Sequence, residues 1–126
     1  LTSRGGKIEA DEIYCEGVIK ANGEISAEVL RAEGCINASE IVGDRITINY
    51  RRTWTKIIRM CRRERSNIRV IEATSIELSG VTADTVNGKD VIIGPDCIIQ
   101  NLDCSGTLSI DGSSQVYNIT GTYTRA

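Results

Sequence analysis

Histidine and phenylalanine are absent from this 126-residue chain, and proline, methionine and tryptophan occur once each. The missing histidine removes the side chain most often used as a general base or metal ligand near neutral pH. Five cysteines (Cys15, Cys35, Cys61, Cys97 and Cys104) form an odd set with no C-x-x-C pair. Zinc needs four thiolates or histidines at close spacing, so no metal site is expected. Four Tyr and Trp54 are the only aromatics, which suits a narrow tube filled by medium-sized aliphatics. Pro95 alone can break a ladder of strands, and Ile92-Ile93-Gly94-Pro95-Asp96-Cys97-Ile98-Ile99 reads as a corner between two of them. No run reaches the roughly 18 apolar residues that a membrane span requires. The chain opens on Leu1 rather than Met and shows no secretion signal, as expected of an ordered core taken from a longer protein.

What is present is a spacing of 17 residues. Ile8 recurs as Ile25, Ala10 as Ala27, Ile13 as Leu30, Gly17 as Gly34, Ile19 as Ile36 and Ala21 as Ala38. A second echo lies 63 residues on, where the segment from Ile8 to Val18 returns as that from Ile71 to Val81 with its apolar and glycine positions in register. Fixed-period self-similarity marks a chain that stacks one small unit on itself. Within the unit the small or apolar residues fall mostly two apart, the period of a strand, whose successive side chains point to opposite faces. The steps of three, Ala10 to Ile13 and Ala27 to Leu30, place corners. A 17-residue unit cannot bury its inner face alone but does so when stacked. The expected fold is all-β: a single-stranded parallel β-helix, or β-solenoid, of about 17 residues per coil. Further on, Ile76 to Ile93 and Ile93 to Ile110 repeat the 17, while Gly88 to Gly106 and Ile92 to Ile110 give 18. The segment from Gln115 to Thr124 reads as a last partial coil.

The chain is read as one domain, 1–126, with regular coils over 5–50 and less regular coils with a cap over 70–126. Between them, residues 51–69 break the period. This stretch holds eight Lys or Arg against one acid, a net +7 in a chain of net −2, so the remainder sums to −9. Trp54, Ile57, Ile58 and Cys61 stand at i, i+3, i+4 and i+7, one face of a short amphipathic helix. Thr53 and Thr55 are its candidate caps. Three readings stay open for it. The helix packs on the solenoid flank with its arginines against acidic neighbours, or it binds an anionic membrane surface or cytoplasmic protein, or it binds nucleic acid. The acidic remainder and the lack of interleaved aromatics disfavour the third. The candidate membrane- or partner-binding residues are Arg51, Arg52, Trp54, Lys56, Ile57, Ile58, Arg59, Arg62, Arg63 and Arg65.

No catalytic, metal or cofactor site is expected. Hexapeptide-repeat acyltransferases, a β-solenoid enzyme class, generally use a histidine base, which this chain lacks. The acids Glu9, Asp11, Glu12, Glu16, Glu24, Glu28 and Glu33 take outward or corner positions and read as a solvated face. Cys15 has inward parity and Cys104 is placed with it as core filler. Cys35 has outward parity, and a free thiol there suits a reducing, cytoplasmic compartment. There the two N-x-S/T triplets at Asn37 and Asn118 carry no meaning.

The run G-x-I-x-A-x-x-I-x-x-x-G-x-I-x-A-x-G-x-I-x-A, from Gly6 to Ala27, resembles the bactofilins, the polymer-forming cytoskeletal proteins of bacteria. The segment from Ile71 to Ile99 looks like bactofilin-related cytoplasmic proteins of Gram-positive bacteria. The resemblance covers most of Gly5 to Ile110. It implies a right-handed β-helix whose end coils stack on further copies to form a homo-oligomer or polymer, acting as a scaffold, often peripheral at the inner face of the cell membrane. It brings no catalytic residues. The chain departs from the bactofilin pattern in its basic insert and its irregular second half.

Overall fold

A computed structural model describes residues 2–3, 8–21, 23–49 and 66–125. They form nine strands: β1 (Thr2–Ser3), β2 (Ile8–Ala21), β3 (Glu24–Asn49), β4 (Ser66–Leu78), β5 (Val81–Ile93), β6 (Ile98–Cys104), β7 (Thr107–Ile110), β8 (Gln115–Thr120) and β9 (Thr124–Arg125). Every paired neighbour runs parallel. The main order, β1 to β6 and then β8, follows the chain, with β7 and β9 continuing beside β5. The expected all-β solenoid is the observed fold, in about 5 turns of about 16 residues. Strand β3, at 26 residues, is longer than one coil and passes over its own start, with the Ser39 amide donating at 3.2 Å to the carbonyl of Gly23, the residue just before the strand.

The period varies, but not in the places or by the amounts that the spacings of 17 and 18 in the sequence suggest. Register partners are 17 apart between β2 and β3 (Ile8 with Ile25), 15 between β4 and β5 (Ile71 with Val86), and 16 between β5 and β6 (Val86 with Leu102). From β6 to β8 the separation returns to 17 (Leu102 with Ile119). Ile76 therefore sits on Val91 rather than Ile93, Gly88 on Cys104 rather than Gly106, and Ile92 on Ser109 rather than Ile110. Ile93 does sit on Ile110. The corners absorb the differences. Parallel pairing fixes which residues stack, and an extra corner residue leaves both flanking ladders intact.

Inside the tube, buried residues come in pairs two apart: Ile25 and Ala27, Leu30 and Ala32, Ile36 and Ala38, then Ile46 and Ile48 in the following coil. Three such pairs per coil give three sides, separated by steps of three or four at the corners. Stacking makes continuous columns. One runs through Ile25, Ile41, Ile71, Val86 and Leu102, and another through Leu30, Ile46, Ile76, Val91 and Leu108, all at most 2% exposed. Isoleucine suits these places because its β-branched side chain fills a pleated surface at little rotamer cost. Burying each such side chain stabilises by about 1.5–3 kcal/mol before the entropy of ordering is set against it.

Small residues occupy the second inward place on the first side, where Ala10 pairs with Ala27 and Ala73 with Gly88. A Cβ at Gly43 would run into the Ala27 carbonyl oxygen of the coil below. The backbones approach too closely there for a side chain.

The third corner, after the second side, carries glycine coil after coil: Gly17 in register with Gly34, then Ser79-Gly80, Gly94-Pro95-Asp96 and Asp111-Gly112-Ser113. Gly80 has φ +68° and Asp96 φ +60°, so the chain reverses through the left-handed region. A ladder of amides holds this corner: Ser79 donates to Ile48 O at 2.8 Å, Gly94 to Leu78 O at 2.7 Å, and Asp111 to Ile93 O at 2.8 Å.

Candidate functional site

The ten basic and apolar residues singled out in the sequence, from Arg51 to Arg65, lie outside the described residues, as do Cys61 and the helix expected there. Their points of attachment are defined. Strand β3 ends at Asn49 and β4 opens at Ser66, so residues 66–69 of the basic stretch already belong to the solenoid, with Arg69 exposed. Across this gap the register separation is 30 (Ile41 with Ile71, Ile46 with Ile76), against 15–17 at the other coil junctions. Ile48 and Leu78 are register partners, both fully buried, and the Ser79 amide still reaches the Ile48 carbonyl. The basic segment thus leaves and rejoins the tube at the third corner, in the place where the later coils pass from strand to strand through two to four residues, without disturbing the columns on either side.

The two ends of the tube differ from its middle. At the first end Ile8 and Ile13 are only half-buried and Ala10 is exposed. At the other, Ile110, Val116 and Ile119 pack on the core but stay half-buried. Strand β8 pairs with β6 on one side, and β9 pairs with β7. Among the described residues no strand lies beyond β8 or β9. Their outer edges therefore present backbone amides and carbonyls over an apolar column, the arrangement that invites pairing with a further strand. Arg125 stands in register on Leu108, a charged residue at the end of a buried column.

Along the flank of the first three coils, Glu9, Asp11, Glu28 and Asp44 line an open groove with Ser26 and Val42, over a floor of Ala10, Ala27 and Gly43. Asp11 lies opposite Glu28, between the paired positions Ala10–Ala27 and Glu12–Val29. The described acids among those expected to face outward are exposed or half-buried, as that reading requires. Among the described residues no group of three or more His, Cys, Asp or Glu is arranged to hold a metal ion, and no buried side-chain nitrogen or oxygen lacks a hydrogen-bond partner.

The titrating groups that depart from their ordinary range do so for reasons internal to the solenoid. Asp90 is held below the usual carboxylate value by Thr107, whose hydroxyl and amide donate to Oδ1 at 2.9 and 3.2 Å. The contact staples one coil to the next at a corner. Asp111 is lowered in the same way by the amide and hydroxyl of Ser113, at 2.9 and 2.8 Å. Burial pushes the Cys97 thiol up. Cys104 is fully buried, its Sγ 3.1 Å from Lys89 O and 3.3 Å from Thr107 O, which makes it core filler as expected. Cys97 is equally buried, and its inward parity was legible two residues before Ile99. The side chains of Cys15 and Cys35 lie outside those described. Among the described residues no helix is long and apolar enough to cross a membrane.

No family model matches the chain, and no solved structure matches it. Over 79 residues, 63% of its length, the chain is 34% identical to "Uncharacterized protein YhbE" of Bacillus subtilis (strain 168). The match spans about a third of that relative's length, 33%.

Proposed function

We propose that this protein is a non-enzymatic structural scaffold that associates with further copies of itself through the end coils of its β-solenoid, in the manner of a bactofilin-like cytoskeletal element of the bacterial cytoplasm. One observation carries the reading. At both ends apolar columns continue into half-buried residues, Ile8 and Ile13 at one and Val116 and Ile119 at the other, beneath strand edges that, among the described residues, no further strand covers along most of their length. The sequence pattern shared with bactofilins from Gly6 to Ala27 supports it.

The test is sedimentation velocity with negative-stain microscopy over a hundredfold range of concentration. The expected result is concentration-dependent growth of end-on assemblies, reduced by Ile119→Lys or Ile8→Lys with the circular dichroism retained. A strict monomer at the highest concentration, or assembly indifferent to both variants, would falsify the proposal.

A second reading draws on the register jump of 30 between β3 and β4, which sets a basic segment apart from the tube's own ladder. In this reading the solenoid is an adaptor that presents Arg51, Arg52, Trp54, Lys56, Ile57, Ile58, Arg59, Arg62, Arg63 and Arg65 to an anionic membrane surface or acidic protein. It expects co-sedimentation with vesicles containing phosphatidylglycerol that is lost when Arg59, Arg62 and Arg63 become Glu. Undiminished binding by that variant rules it out.

A further inference from the structure

We draw no further inference here: the strongest candidate, the open groove lined by Glu9, Asp11, Glu28 and Asp44 along the first three coils, is a cluster of acidic side chains over a strip of small residues, and nothing in the structure shows what covers it.

Discussion

Removing residues 50–65 should leave a working solenoid, and a more stable one. Asn49 holds the place that Ser79 takes one coil later, because Ile48 is in register with Leu78. A single glycine joining Asn49 to Ser66 would therefore rebuild the Ser79-Gly80 corner and bring the separation at this junction from 30 to 15, the value already found between β4 and β5. Loop-closure entropy bounds the gain. Halving the separation contributes about 0.6 kcal/mol, and shortening the corner link roughly eightfold contributes about 2 kcal/mol. For a domain of this size the unfolding midpoint should rise on the order of 5 °C. Urea and thermal unfolding followed by far-ultraviolet circular dichroism measure this directly on the parent and the deletion variant. A variant less stable than the parent by more than about 1 kcal/mol would refute the reasoning. It would mean that the segment packs its Trp54 face on the tube and contributes to the core.

Other expectations follow from the same columns and corners. Ile71→Ala, in the centre of a buried column, should cost about 2–5 kcal/mol, whereas Ile92→Ala, at a position 49% exposed, should shift the urea midpoint little. Acid should weaken the fold in a defined direction. Asp90 and Asp111 both have folded values below 3.8, so their contribution is present above that pH and is lost as pH falls through the lowered values. Asp90→Asn should flatten the acid limb of a stability-versus-pH curve, and an unchanged limb would remove Asp90 from the account. Finally, Cys97 and Cys104 should resist iodoacetamide at neutral pH until denaturant is added, as read by mass-spectrometric mapping of labelled peptides. Rapid labelling of either in the native protein would contradict its burial.

The repeat, the strand period and the tube were legible because inward residues alternate with outward ones at spacing two, and six matched pairs recur at 17. The partner of each later residue was not. Ile93 has the right parity to be the mate of Ile76 but belongs to Leu78, two places on. An error of two keeps a residue on its own face, so a fixed period cannot detect it. The same slip made Gly106 the mate of Gly88. Pairing Ile92 with Ile110 is an error of one, and it crosses faces: Ile92 is exposed and Ile110 half-buried. Corner residues carry no hydrophobic signal that would count them. The site was legible only as a charge anomaly. Net charge and apolar spacing over 51–69 mark a segment that does not belong to the tube, but which corner it leaves from depends on register, and register is set by the coils on either side.

The heterogeneity of the outward columns has its own consequence for recognition. On the third side the register runs Thr82, Ile98, Gln115: a hydroxyl, an aliphatic and an amide at successive rungs. The interior repeats its chemistry and this exterior does not. A ligand with a regular lattice or a fixed monomer spacing would meet no matching series of groups along that side. A substitution on one rung alters the local surface while the column behind it stays filled.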